Sequence, residues 1–348
     1  MSPITMSFFH ISLGLGTMMT FASNHWFLAW MGIEINTLAL IPLMVQNPHP
    51  RAVEASTKYF FAQATASAML LFATLLNSIL TGEWNIPLIS HPAPSALCIL
   101  ALAMKIGLAP LHTWLPEVIQ ALDLRTSLIL STWQKLGPLY LMYQIPSVSP
   151  NLFLLLGLLS IIVGGLGGFN QVQLRKIVAY SSIAHLGWIA MALAIMPPLA
   201  MLALYVYLLS STTLFLSLMA LRAKHISALA ISWAKAPAFT ATLPFILLSL
   251  GGLPPLTGFM PKWLILSALV KEPLTLVAVL AALSSLLSLY YYLRLFYAST
   301  LTMPPNNPPG TLPWRLKPRR NTLILALTIT ATAALLPLAP AVLTYLTW

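Results

Sequence analysis

Long apolar runs alternate with short polar clusters from one end of the chain to the other. A bilayer core of about 30 Å asks for about 20 consecutive apolar residues per helix. On that spacing the chain is expected to cross a membrane eleven times, at approximately 3–21, 25–46, 56–80, 95–120, 125–145, 150–170, 174–195, 199–221, 238–269, 274–298 and 322–346. Breakers stand between the runs: NPHP at 47–50, SHPAP at 90–94, PSVSP at 146–150, MPP at 196–198 and MPPNNPPG at 303–310. No connector is long enough to hold a soluble domain. The expectation is an all-α polytopic membrane protein, one membrane domain over 1–348.

Composition agrees. Only 7% of the 348 residues are charged and 59% are hydrophobic, with a mean hydropathy of +0.87, whereas a soluble domain carries about 25% charged residues. Too few charges are available to coat a globule, so lipid serves as the solvent. The net charge of +11 therefore marks a membrane face rather than a nucleic-acid partner. The single cysteine, Cys98, lies in an apolar run and excludes a disulfide framework, an iron–sulfur centre or a cysteine zinc site. No cleavable leader precedes the first run, so the chain is expected to insert through its own helices or to be made where it works.

The basic residues sort by side. Loops after even-numbered spans hold Arg51, Lys58, Arg125, Arg175, Lys176, Arg222, Lys224, Lys235, Arg315, Lys317, Arg319 and Arg320, and Arg294 near the end of span ten faces the same way. The opposite side has only Lys271, followed by Glu272. The positive-inside rule puts the rich side, and with it the N-terminus, on the cytoplasm or the mitochondrial matrix.

Lys105, Lys135 and Lys262 belong to no loop, and neither does Glu34. Lys105 stands about ten residues from either end of its span, roughly 15 Å of helix rise, beyond the reach of a snorkelling side chain. Each such group costs at least ~2.5 kcal/mol at the bilayer centre. Burial opposes charge and a nearby opposite charge favours it, so a Lys–Glu set has two nearly balanced protonation states, as a proton relay requires. A packing clasp is the plain alternative for any single pair. His112 sits where its span is broken and is a further relay candidate. His185, in span seven, is as well read as a neutral histidine bonded to a neighbour. Ser181, Ser182, Ser210, Ser211, Thr212 and Thr213 would bond back to helix carbonyls or hold water.

Two spans carry breaks. Pro110 removes a helix donor and clashes with the preceding turn, and Gly107 weakens the helix further. Span four is thus expected to be interrupted around 107–111, leaving unpaired backbone groups at membrane depth, which only protein or a water-filled cavity tolerates. GLAPLHTWLP at 107–116 aligns without gaps on GLPPLTGFMP at 252–261, where Pro254 and Pro255 stand. The next position is Glu117 in one copy, read as the start of a charged loop, and Lys262 in the other. The copies lie five spans apart, an odd number, so they cross in opposite directions. This predicts two five-helix inverted repeats, 1–148 and 149–300, followed by a basic loop and final helix at 301–348. Paired broken helices in inverted repeats are a mark of ion-coupled transporters.

KIGLAPLHTWLPEV at 105–118 and GGLPPLTGFMPKW at 251–263 resemble the two broken-helix signatures of the antiporter-like membrane subunits of respiratory complex I, the proton-pumping NADH:ubiquinone oxidoreductase. WMGIEINTLALIPLM at 30–44 and FFAQATASAMLL at 60–71 are similar to the short animal member, of a vertebrate, which lacks three N-terminal helices and keeps eleven. The resemblance covers the whole chain. It implies proton translocation in the mitochondrial inner membrane, with the channel acid at Glu34 and relay lysines at Lys105, Lys135 and Lys262. It also implies other membrane-arm and accessory subunits as partners beside lipid, one flank of the first half open to them, and no stand-alone monomer. NADH, FMN, iron–sulfur clusters and ubiquinone would be handled by other subunits, with no cofactor in this chain. A free-standing monovalent cation/proton antiporter and a purely structural subunit are the rival readings. A cation path would add mid-span acids, of which Glu34 is the sole example.

Overall fold

The computed structural model describes residues 2–145, 150–301, 322–338, 341 and 344. Among these, helices and two isolated backbone bridges make up the regular structure. In order they are α1 (Pro3–Ala22), α2 (Trp26–Met44), α3 (Pro50–Thr81), α4 (Pro92–Ile106), α5 (Trp114–Ala121), α6 (Leu124–Gln144), α7 (Pro150–Gly168) and α8 (Leu174–Ile195). Then follow α9 (Pro197–Leu221), α10 (Ile226–Ala230), α11 (Ser232–Lys235), α12 (Pro237–Gly251), α13 (Phe259–Lys271), α14 (Thr275–Thr300) and α15 (Leu323–Ala334). Seven of them, α1, α2, α3, α7, α8, α9 and α14, are each long and apolar enough to cross a membrane. Helix α6 has the length but carries Arg125, Gln134, Lys135 and Gln144, and α4, α12 and α15 are apolar but shorter.

Boundaries follow local chemistry. NPHP reads as a breaker, yet α3 starts inside it, six residues before the expected 56. Pro50 occupies the first helical turn, where a missing N–H is harmless, and the His49 ring accepts from Arg51 N at 3.2 Å. At the far end Gly82 adopts φ +76 and closes the helix. The basic loop at 302–321, the PSVS stretch at 146–149 and parts of span eleven beyond Leu338 lie outside the described residues.

The chain divides into two compact units, 1–160 and 161–348, and the division falls within α7. In the first, α1 packs on α2, α2 on α3 and α6, and α3 on both α4 and α5. In the second, α8 packs on α9, α12 on α9 and α14, and α13 on α8, α9 and α14. Helix α8 is buried along nearly its whole length. Each unit also carries a backbone strap that apolar periodicity does not announce. In the first, Trp26 N donates to Trp84 O and Ile86 N to Asn24 O, both at 3.0 Å. In the second, Leu174 N donates to Lys224 O at 3.2 Å and Ile226 N to Val172 O at 3.3 Å. Both straps join the loop before one helix to the loop after the next, α2 with α3 and α8 with α9, and satisfy donors that helix starts leave orphaned.

Close helix contact in the first unit depends on glycine. A Cβ on Gly32 of α2 would stand 2.7 Å from Thr20 Cγ2 and 2.9 Å from Gly16 O of α1. Gly32→Val should therefore destabilise the protein by about 1–3 kcal/mol through overpacking, seen as a lower melting midpoint of the solubilised protein. A melting curve that matches the wild type would show that α1 and α2 can separate freely.

Candidate functional site

The first broken helix is built from α4, a turn and α5. Helix α4 ends at Ile106, and Gly107 takes φ +85, a region open to glycine but strained for other residues. The Ala109–Pro110 bond is cis. Sequence reasoning expects unpaired backbone groups here, but side chains and the turn pair the last carbonyls of α4. Gly107 N and Leu108 N both donate to Ala103 O at 2.9 Å. Trp114 Nε1 donates to Met104 O at 3.1 Å, and Gln63 Nε2, from α3, to Lys105 O at 3.1 Å. Paired this way, a broken end can persist in an apolar surround.

Lys105 lies in the last turn of α4, where the carbonyl end of the helix favours a cation. Its ammonium Nζ donates to Glu34 Oε1 of α2 at 3.2 Å. The lysine side chain is 1% exposed and the glutamate 23%, so one partner is dry and the other has an open side. Thr37 Oγ1 donates to Glu34 O at 2.8 Å and approaches Oε2 at 3.4 Å. A small cavity of about 10 Å³ is lined by Lys105 and by Lys135 of α6, together with Tyr59, Gln63, Asn36 and Gln134. Lys135 is buried. Gln134 Nε2 donates to Asn36 O at 3.1 Å, tying α6 to α2 beside it.

His112 occupies the turn between α4 and α5, half-buried and outside that cavity's lining. Glu117 does not begin a loop. It sits in the first turn of α5, where its Oε2 accepts from Lys58 Nζ at 2.7 Å, and the same ammonium meets Glu54 Oε1 at 2.7 Å. This trio is exposed and well removed in character from the dry Lys105 pair.

The second unit repeats the break with different side chains. Helix α12 ends at Gly251, Gly252 takes φ +79, the Pro254–Pro255 bond is cis, and α13 resumes at Phe259. Gly252 N donates to Leu248 O at 3.1 Å and to Ser249 O at 3.0 Å, and Leu253 N to Leu248 O at 3.2 Å. Lys262, in the first turn of α13, folds back so that Nζ donates to Gly251 O at 2.8 Å. A Cβ on Gly252 would lie 2.9 Å from that Nζ, so glycine makes room for the amine. A small cavity of about 20 Å³ is lined by Lys262, His185, Tyr207 and Ser210 among others. His185 Nε2 lies 3.3 Å from Tyr292 Oη. The six serines and threonines singled out on α8 and α9 all donate to carbonyls one turn back, as Ser181 Oγ does to Val178 O at 2.8 Å and Thr213 Oγ1 to Ser210 O at 2.7 Å.

Lys105 and Lys135 thus line one cavity, with Glu34 joined to it through Lys105, His185 and Lys262 line another, and His112 lines neither. Sequence reasoning missed Gln63, Gln134, Tyr59, Tyr207 and Tyr292. A mid-span glutamine in FFAQATASAMLL is a readable signal, whereas a tyrosine in an apolar run is not. Among the described residues no cluster of His, Cys, Asp and Glu could hold a metal ion.

Known proteins resemble this chain in sequence and in fold. The family described as "NADH:quinone oxidoreductase/Mrp antiporter, TM" matches residues 23–288, and "NADH dehydrogenase subunit 2 C-terminus" matches 289–343. NADH-ubiquinone oxidoreductase chain 2 of Tetraodon nigroviridis is 58% identical over 344 residues, 99% of each chain. The chain belongs to the NADH-ubiquinone oxidoreductase chain 2 family. That of Salmo salar is 56% identical over 348 residues, the full length of both chains. Among solved structures, a chain of respiratory complex I from Thermus thermophilus with bound aureothin is 28% identical, with a TM-score of 0.80 over 96% of this chain and 79% of that one. A chain of the Mrp complex from Dietzia sp. has the same fold, with a TM-score of 0.78 at 19% identity over 95% of this chain and 74% of that one.

Within this family member the Gln63 amide is the testable support of the first break. Gln63→Leu leaves Lys105 O buried without its donor and should cost about 1–3 kcal/mol, read as a lower unfolding midpoint in detergent. Unchanged stability would mean that Lys105 O finds another donor.

Proposed function

We propose that this chain is a proton-translocating membrane-arm subunit of NADH:ubiquinone oxidoreductase in the mitochondrial inner membrane. Membership of the chain 2 family supports the assembly and the location. The observation that carries the mechanism is the Lys105–Glu34 ion pair at 3.2 Å, placed at the end of a broken helix beside a cavity that Lys135 also lines.

Electron transfer takes place in other subunits, which also handle NADH, FMN, the iron–sulfur clusters and ubiquinone. Its effect here is to shift the Glu34–Lys105 pairing. With the carboxylate close, the ammonium is favoured in a dry interior. With the carboxylate withdrawn, that support is lost and a proton leaves for the cavity and Lys135. Lys262, with His185 beside it, serves the same purpose in the second unit. The partners are other membrane-arm and accessory subunits, with lipid covering the remaining apolar surface. The free-standing antiporter reading gains no comparable support.

The finer topology belongs to the same reading. Eleven spans form two five-helix repeats, 1–148 and 149–300, of inverted orientation, with 301–348 as the basic loop and last helix. Two breaks with matching left-handed glycines and two matching straps support this arrangement. The basic loops and N-terminus face the matrix and the C-terminus faces the intermembrane space, on the strength of the charge distribution.

Lys105→Met and Glu34→Gln should each lower both the protons moved per electron and the coupled rate of the assembled complex reconstituted in vesicles. Removing one partner of a buried pair can itself cost about 3–5 kcal/mol, so assembly is scored separately on native gels. Wild-type proton stoichiometry and rate in both variants at normal assembly would sink the relay.

A further inference from the structure

The second unit differs from the first in how its lysine is served. Lys105 has Glu34 at 3.2 Å, whereas among the described residues no carboxylate stands within ion-pair distance of Lys262. Its cavity instead presents His185, Tyr207 and Ser210. His185 leads further, because its Nε2 lies 3.3 Å from the hydroxyl of Tyr292 on α14. Tyr292 also has Ser181 within hydrogen-bonding reach.

Next to Tyr292, with ring centroids 4.6 Å apart, stands Tyr291. It is 1% exposed, and its buried hydroxyl makes no hydrogen bond of regular geometry, the Tyr292 hydroxyl being the polar group it interacts with. A phenylalanine would fill the same space without burying an unsatisfied hydroxyl. The ring fits only because residue 168 is glycine, where a Cβ would stand 2.8 Å from Tyr291 Cδ1. Less than one helical turn onward, Arg294 Nη1 donates to Phe169 O at 3.3 Å, at the end of α14 that adjoins the basic loops. Arg294, Tyr291 and Tyr292 thus stand within one turn of α14, and Tyr292 is the one that meets His185, which lines the cavity of Lys262.

We propose that Tyr291 and Tyr292 are relay residues that carry protons from the basic face to His185, and so refill Lys262. The proposal rests on the proton-translocating reading above and adds a separate inlet for the second unit. In each passage Tyr292 gives its hydroxyl proton to neutral His185 at Nε2 and takes another from the Tyr291 hydroxyl, directly or across one water. His185, briefly an imidazolium, returns to neutral by releasing a proton into the cavity, where the neutral amine of Lys262 accepts it. Every oxygen ends with the proton count it began with, and only O–H and N–H bonds break and form.

The test uses the assembled complex in vesicles with Tyr292→Phe, Tyr291→Phe and Lys262→Met. Each phenylalanine keeps the ring and removes only the hydroxyl. The expected result for Tyr292→Phe is a coupled proton-translocation rate lower by about tenfold, less than the ~10²-fold cost of losing a positioned proton donor outright because water partly substitutes. The solvent deuterium isotope effect on that rate should rise, a ratio that does not depend on how much complex assembles. A normal rate and isotope effect in Tyr292→Phe overturn the inlet, and the same result in Tyr291→Phe removes that residue from it. Lys262→Met separates the two readings. If it abolishes coupled translocation while both tyrosine variants behave normally, only the inlet fails. If it too behaves normally, the proton-translocating role of Lys262 fails with it.

Discussion

A helix interrupted at membrane depth must have its last carbonyls answered by something other than water, and the arrangement of both units follows from that requirement. In lipid an unanswered carbonyl costs several kcal/mol, so each break recruits donors from neighbouring elements. The first unit brings Gln63 across from α3 and Trp114 back from α5. The second bends Lys262 back from α13. These recruited groups are polar and inward-facing, and they create the setting in which Lys105, Lys135 and His185 can be tolerated. The charge chemistry is housed by the solution to a backbone problem.

The two units solve that problem with different residues, which sets their electrostatics apart. In the first, capping and charge are divided: an amide caps, while the ammonium is left to face Glu34. In the second, one side chain does both. Glu117, which holds the position equivalent to Lys262 in the repeated motif, is thereby released to the surface, where it joins Lys58 and Glu54. The exposed trio contributes little to stability, and its significance is that the first break is capped by the Trp114 indole and the α3 amide without the fourth residue of α5.

Much of this was legible in the chain. Gly107 with Pro110, and Gly252 with Pro254 and Pro255, mark both breaks because glycine and proline act on the backbone locally, and a local effect is visible in a local pattern. Glu34, Lys105, Lys135 and Lys262 stand out because a charge in an apolar run has no other explanation than a partner or a function. The tyrosines do not, and Gln63 stands out as a polar residue but not for its partner, since these roles depend on which helix lies across from them, and an apolar period reveals that a face is buried without saying against what. Pro50 misled for a related reason: the same residue ends one helix and starts another, and only the His49 cap decides which. The straps between His25 and Asn85 and between Gln173 and His225 join segments about fifty to sixty residues apart through backbone atoms, which leave no mark on side-chain identity.

The bond from Lys262 to Gly251 O has a consequence for how charge and shape are related. A lysine amine that has lost its proton still carries two N–H groups, so it can continue to donate to that carbonyl. The second break can therefore keep its fold while its charge comes and goes. The contact between Lys105 and Glu34 draws its strength from both charges, and weakens when either is neutralised. One unit is insulated from its own titration and the other is made sensitive to it, so a change of charge can act as a mechanical signal in the first half and pass silently through the second.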